Sequence, residues 1–416
     1  MRIFFLTLEW TALERFIRRE AAFVEGMPSV YLPWLHYKKR GYDVDIFIVG
    51  DFEKADIVDF QGCSIHLVPR PKFFRNRQCG FFLSKLCRLV DDIVVCLVVG
   101  RFVRGQSPPD IIYSYRVDFV CSGWLLAKFY HALFIKRFFG TWSYLNWYHR
   151  GLKAGCLLEF LRWLWPSDML IVTNDGTNGD KIAELLRIRK SKFRVWLNGV
   201  DKEWLCNNER SEALKTDLGL TSDDFILMCL SRLDDWKRQD RVICAMPLIL
   251  KEVPHAKLVI VGSGPARQKL EAMVQELNLE GNVLFTGIIE HNKVRNMLGV
   301  ADVFLQTNDL SCLGNTLLEA MICGRTIVTW DVGTTREVII DGQTGCLMPN
   351  AEPETIGRTV IDLAKNPEKR KRLAEGARRF AEEHLQSWDE RLDMEIDLIE
   401  GIRAGKSQWD RSFGVF

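Results

Sequence analysis

With 416 residues, 47% of them hydrophobic and 26% charged, the chain can bury a core in each of two or three domains, which excludes a disordered protein. Its net charge of +2 hides an asymmetry. Residues 1–197 hold 29 Lys+Arg against 19 Asp+Glu, leaving 27 against 35 of the 56 and 54 in the whole chain. A basic first half suggests an anionic partner surface, with phospholipid favoured over nucleic acid.

Taken in order, Arg2 to Leu6 reads as a first strand and Asp43 to Val49 as a second. The opening MRIFFLTLEW has an apolar core too short for a signal peptide, and no run approaches the ~18 apolar residues of a membrane span. A soluble or peripheral protein of the cytoplasm, at the inner face of the membrane, is the expectation. The 12 cysteines show neither CxxC pairs nor zinc-spaced Cys/His clusters, so they read as small buried residues in a reducing compartment. Val30 to Arg40 can be helical and stops at Gly41. Ahead of it the turn around Gly26 follows the first strand, where open α/β sheets bind ligands.

Further strands are readable at Ser64–Val68, Ile111–Tyr115, Leu133–Arg137, Met169–Thr173 and Phe193–Trp196, with helical patterns between most of them. That alternation predicts a parallel sheet covered by helices. Pro69 to Gln78 and Phe119 to Trp165 mix aromatic and basic residues, a composition suited to an anionic membrane surface. TNDGTNGD (173–180), with Asn174 and Asp175, reads as a capped turn between strand and helix. The polar stretch Asn207 to Asp224 is the best linker. Beyond it Phe225–Ser231, Lys257–Gly262, Val283–Phe285, Asp302–Gln306 and Thr326–Thr329 alternate with helices at Arg238–Lys251, Ala266–Leu277, Lys293–Leu298 and Thr316–Cys323. After Pro353 the pattern is helical to about Ala404, with a break near Gln386-Ser387.

Functional candidates of the second half gather at the carboxyl ends of these strands, the binding edge of an open α/β sheet. Arg232 and Lys237 can neutralise a diphosphate. The GSGP turn, with Gly262 and Gly264, lacks the full GxGxxG spacing of a dinucleotide fingerprint. In GNTLLEAMICG (314–324) Asn315 can cap a helix whose positive end suits a phosphate, Gly314 permits close approach, and Glu319 can accept two bonds from vicinal hydroxyls.

These motifs together resemble one family. NGVD (198–201), LSRLDDWKRQD (230–240), VIVGSGP (259–265), FTG (285–287), ADVFL (301–305), GNTLLEAMICG (314–324), GTTREVI (333–339) and DGQTG (341–345) are similar, in order and spacing, to the donor-binding domain of the retaining GT-B glycosyltransferases called family 4. IKRFFGT (135–141) extends the likeness loosely into the first half. The resemblance implies an α/β GT-B fold of two Rossmann-like doubly wound domains facing across a cleft. It implies an acceptor domain over 1–200, a nucleotide-sugar domain over 201–385, and a helix and tail over 386–416 returning to the first domain. The implied reaction moves a sugar from a nucleotide-sugar donor to a glycan or lipid-linked acceptor, with no cofactor and no metal.

Carried over by position, the resemblance gives Arg232 and Lys237 to the leaving diphosphate and Glu319 to the ribose. Leu313, Gly314, Asn315 and Thr316 would meet donor sugar and phosphate, Gly287 and Ile288 would flank the base, and Gly262 and Gly264 would line the donor site. Gly26, Gly140, Thr141, Asn174, Asp175 and Asn198 would line the acceptor side or the cleft. Ser311 stands where the family carries a first glutamate, and no histidine matches the family's frequent one in the first domain. Two other readings use the same scaffold: a nucleotide-sugar epimerase or hydrolase, and a non-catalytic nucleotide-sugar-binding protein.

Overall fold

The computed structural model describes residues 1–9, 13, 16–18, 28–74, 81–141, 160–206 and 212–405. They form two compact units. The first comprises 1–174, 179–197 and 389 onward; the second comprises 175–178 and 198–388.

The strands of the first unit are β1 (Arg2–Leu8), β2 (Asp43–Gly50), β3 (Asp56–Phe60), β4 (Cys63–Pro69), β5 (Ile111–Tyr115), β6 (Leu133–Phe138), β7 (Met169–Thr173) and β8 (Phe193–Trp196). They make one sheet of order β3-β4-β2-β1-β5-β6-β7-β8, parallel except for the β3–β4 pair. Its helices are α1 (Pro28–Lys39), α2 (Phe81–Val103), α3 (Val120–Tyr130) and α4 (Gly179–Leu185). Strands covered on both faces must be apolar at every position, and β1 shows it. Ile3 and Phe5 pack with Trp34, Tyr37 and Tyr113 on one face, while Phe4 and Leu6 pack with Val95, Val99 and Phe119 on the other.

The second unit holds β9 (Phe225–Leu230), β10 (Ala256–Val261), β11 (Val283–Gly287), β12 (Val303–Gln306), β13 (Thr326–Trp330) and β14 (Cys346–Met348). With them run α5 (Glu212–Asp217), α6 (Gln239–Glu252), α7 (Arg267–Glu276), α8 (His291–Val300), α9 (Asn315–Ile322), α10 (Pro353–Lys365) and α11 (Pro367–His384). The sheet order is β11-β10-β9-β12-β13-β14 and every pairing is parallel. The order reverses between β9 and β12, the switch point at whose carboxyl ends open α/β sheets bind ligands.

The last helix, α12 (Trp388–Arg403), packs Ile396 and Ile399 into the core of the first unit. Its acidic face pairs with the basic end of α1. Asp393 meets His36 Nε2 at 2.8 Å, Asp389 meets Lys39 at 2.9 Å, and Asp397 accepts from Arg40. Part of the basic excess in the first half is therefore neutralised by the end of the chain. Deeper in, Glu395 accepts from Arg137 Nη1 at 3.1 Å and pairs with Arg391 Nη1 at 3.0 Å, and Tyr113 donates its hydroxyl to the same carboxylate.

Two strands, β3 and β14, escape the sequence patterns. β3 is an exposed antiparallel edge without a regular alternation, and β14 has only three residues. Helix α9 begins one residue earlier than its capping pattern predicts. Extended Gly314 is the N-cap, and the Asn315 side chain accepts from Asn198 Nδ2 at 2.6 Å instead of capping.

Candidate functional site

The loops at the switch point between β9 and β12 are welded together by hydrogen bonds. Asp309 N–H donates to the Trp236 carbonyl at 2.9 Å, and Thr307 Oγ1 to the Arg238 carbonyl at 2.9 Å. The Arg238 and Arg241 guanidinium groups both reach Asp309 Oδ1, at 3.1 and 2.9 Å. Buried Gln239 donates to Ser231 Oγ at 2.8 Å and to the Arg232 carbonyl at 3.2 Å, which sets the backbone just before Lys237.

The two predicted cations differ in setting. Arg232 is an exposed side chain paired with Asp234 at 3.1 Å. Lys237 is half-buried, with its ammonium 3.9 Å from the centre of the Trp236 ring. Desolvation lowers its pKa to about 8, against the opposing pull of Cys312, Asp175 and Asp234.

The GSGP turn locks onto the β9 loop. Leu233 N–H donates to the Ser263 carbonyl at 3.0 Å and Ala266 N–H to the Leu233 carbonyl at 2.9 Å. A Cβ on Gly264 would collide with that Leu233 carbonyl, so the close approach admits glycine alone. Gly262 N–H donates to the Gly287 carbonyl at 2.9 Å, which brings Gly287 and exposed Ile288 to the same edge.

From β12, Gln306 points an amide that is buried and has neither atom hydrogen-bonded. Then follow buried Ser311 and Leu313, and α9. The first α9 amide with an acceptor inside the helix is that of Leu317, to the Gly314 carbonyl at 3.0 Å, which leaves those of Asn315 and Thr316 without one. Ser311 is engaged by its neighbours. Its hydroxyl donates to the Asp175 carbonyl and accepts from Leu313 N–H at 3.0 Å, tying the loop 175–178 to the β12 loop. Thr334 N–H donates to the Gly176 carbonyl at 3.2 Å and holds the same loop from its other side. Burial raises the pKa of Asp175, against two hydrogen bonds from Thr177.

Glu319 is buried one turn into α9, and burial pushes its pKa up to about 7. Beside it stands His291, at the start of α8. His291 Nδ1 is 3.8 Å from Glu319 and Nε2 is 3.0 Å from Asp201. Burial opposes protonation of this imidazole, yet the Asp201 hydrogen bond and the two nearby carboxylates outweigh it and raise the pKa.

The second unit thus brings together Arg232, Lys237, Gly262, Gly264, Gly287, Ile288, Asp175, Asn198, Ser311, Leu313, Gly314, Asn315, Thr316 and Glu319. Gly140, Thr141 and Asn174 lie in the first unit, at the carboxyl ends of β6 and β7, and Gly26 lies outside the described residues. Sequence reasoning passed over His291, Asp201 and Gln306. A polar residue closing the apolar strand VFLQ was the available signal for Gln306; His291 had none, because its partners come from distant segments. Among the described residues no group of three or more His, Cys, Asp or Glu side chains is placed to hold a metal ion.

Residues 210–380 match the family described as Glycosyl transferases group 1. Over 248 residues, 56% of this chain and 65% of the relative, the sequence is 29% identical to the GDP-mannose-dependent alpha-(1-6)-phosphatidylinositol monomannoside mannosyltransferase of Mycolicibacterium smegmatis. Over 204 residues, 49% of this chain and 52% of the relative, it is 33% identical to the N-acetyl-alpha-D-glucosaminyl L-malate synthase of Bacillus anthracis. The chain therefore spans between about half and two thirds of the length of these relatives.

Among solved structures, HepE of Anabaena in complex with UDP and glucose has a TM-score of 0.72 at 16% identity, covering 97% of this chain and all of that one. The sucrose-phosphate synthase of Thermosynechococcus elongatus has a TM-score of 0.76 at 18% identity, with the same coverage. At these identities the likeness is one of fold. Residues 210–380, the larger part of the second unit, carry the Glycosyl transferases group 1 match, and the chain has the α/β GT-B fold with two Rossmann-like units.

Proposed function

We propose that the protein is a glycosyltransferase that moves a sugar from a nucleotide-sugar donor to a glycan or lipid-linked acceptor, with retention at the anomeric carbon and without a metal ion. The observation that carries this reading is Lys237, a desolvated ammonium at the switch point of a group 1 unit, whose burial outweighs the pull of the acids around it. An arriving diphosphate offsets that desolvation. As the bond from the anomeric carbon to the phosphate oxygen breaks, negative charge grows on the phosphate. Lys237, Arg232 and the amide end of α9 stabilise that charge more than they stabilise the intact donor. Two cations so placed supply what a divalent ion supplies elsewhere. Glu319, one turn into α9, accepts the ribose hydroxyls.

Gly140, Thr141 and Asn174, with Gly26, are assigned to the acceptor side, and the first unit to the acceptor. The test is release of nucleoside diphosphate from a donor panel that includes UDP-glucose and GDP-mannose, with and without glycan and lipid-linked acceptors. Acceptor-dependent release from one donor, with the anomeric configuration of the product unchanged and EDTA without effect, is the expected result. Binding without turnover across the panel would overturn it in favour of a non-catalytic protein, as would epimerisation or hydrolysis indifferent to acceptor in favour of another enzyme class.

A further inference from the structure

We propose that the outer face formed by α2, α3 and the helical residues 160–164 of the first unit is a docking surface for an anionic lipid bilayer. Helix α2 turns Asp91, Val95 and Val99 into the protein. The opposite side carries Leu89, Ile93 and Leu97 at a spacing of four, each more than half exposed. Leu125 and Phe129 form a matching pair on α3, and Phe129 is 75% exposed. Leu161, Leu164 and Trp165 continue the surface, and the Trp165 ring meets Trp124 of α3 edge-on at 5.9 Å. Isolated exposed leucines are ordinary; three neighbouring segments each turning an apolar row outward are not.

The patch is built rather than frayed. The buried Lys136 ammonium accepts no bond but donates three, to the carbonyls of Arg162, Trp163 and Trp165 at 3.2, 2.9 and 2.7 Å, and so holds the end of the 160–164 turn. Asp92 accepts from Ser122 N–H at 3.2 Å and from its hydroxyl, joining α2 to α3.

Charge decides between possible occupants. Among the described side chains of these three segments the acids are Asp91 and Asp92. Asp91 is consumed by Arg70, at 2.7 and 2.8 Å, and Asp92 by Ser122. The exposed charges are basic: Arg88 (which pairs with Asp118), Arg101 and Arg104 at the end of α2, and Lys128 next to Phe129 on α3. A second copy docked about a two-fold axis would set this fringe against itself. An anionic headgroup layer instead meets both features, taking the apolar rows at the acyl boundary and the cations at the phosphates. The acidic face of α12 is engaged with α1, so it does not counter this fringe.

The test is co-sedimentation of the full chain with phosphatidylcholine vesicles and with mixed phosphatidylcholine–phosphatidylglycerol vesicles. The wild type should partition to the mixed vesicles about tenfold better, and lose that preference as salt is raised. The double substitution Leu97→Glu, Phe129→Glu should lower partition to mixed vesicles by about tenfold or more. Arg101→Gln with Lys128→Gln should erase the preference for the anionic lipid. All four side chains are exposed, so circular dichroism should match the wild type. Equal partition of wild type and variants, or no partition at all, overturns the proposal. So does a concentration-dependent dimer abolished by Leu97→Glu, Phe129→Glu, which would give the face to a second copy. Nucleotide binding is measured in the absence of vesicles, so a failed donor reading and a failed docking face are told apart.

Discussion

His291 bridges two carboxylates, with Nε2 3.0 Å from Asp201 and Nδ1 3.8 Å from Glu319. Glu319, raised to about 7 by burial, is thereby poised to change charge close to neutrality. Its ionised form is the one that accepts two vicinal hydroxyls, so affinity for a nucleoside diphosphate should rise as pH passes about 7. Lys237 loses its proton near 8, so affinity should fall again above that value. Calorimetry across the range from about pH 6 to 9 should trace a narrow bell, and Glu319→Gln should keep only its alkaline limb. A flat profile would remove both residues from the site. Stability carries the opposite sign for Glu319: a raised folded pKa contributes below the ordinary carboxylate range, and that contribution is lost as pH rises through about 7.

Lys237→Ala and Arg232→Ala separate a half-buried cation from an exposed one. Each should raise the barrier to transfer by about 2–4 kcal/mol, with the larger loss at Lys237, where less water screens the charge. The affinity for free nucleoside diphosphate should fall less than kcat, because the contact strengthens as charge develops. Unchanged kcat in both variants would dissociate them from the leaving group.

Glu395→Ala leaves Arg137 and Arg391 in the core without their counter-charge. Denaturant unfolding should show a loss of about 3–5 kcal/mol, the cost of breaking a buried pair from one side. Burial alone would raise the pKa of Glu395, but the Arg137 and Arg391 charges outweigh it and hold it below the ordinary value. Its contribution is thus present above the ordinary carboxylate pKa and lost as pH falls through the lower folded one. Acid unfolding of the variant should accordingly be less steep than that of the wild type.

Ser311→Ala removes the hydroxyl that joins the Asp175 carbonyl to Leu313 N–H, and should cost about 1–3 kcal/mol with a weaker hold on the loop 175–178. Gly333→Ala attacks the same loop from the other side. Its Cβ would strike the Gly176 carbonyl, and its φ of +63° disfavours any side chain. Both variants should bring early proteolysis near 175–178 and a lower kcat. Ser311→Glu should not act as a gain of donor contacts, because a carboxylate there faces the Asp175 carbonyl.

Much of the architecture was legible. Strand runs such as IIYSY and MLIVT appear at their read boundaries because a parallel sheet covered on both faces imposes uninterrupted apolarity. The gathering of candidate residues at one sheet edge was legible too, since polar and glycine-rich motifs cluster where those runs end. What stayed hidden depends on contacts across long separations. Nothing near His291 announces that Asp201, 90 residues earlier, will orient it. The role of Ser311 is likewise set by a loop 136 residues away. The charge asymmetry of the chain misled in part, because α12 carries its acids back onto α1.

The pairing of Arg137 with Glu395 spans 258 residues. During synthesis the strand bearing Arg137 emerges long before the carboxylate that neutralises it, and the whole second unit is made in between. The earlier-made half must therefore wait, with a charged and aromatic seam uncovered, while the later-made half is free to mature first. The first unit is therefore complete only once the last helix has been made.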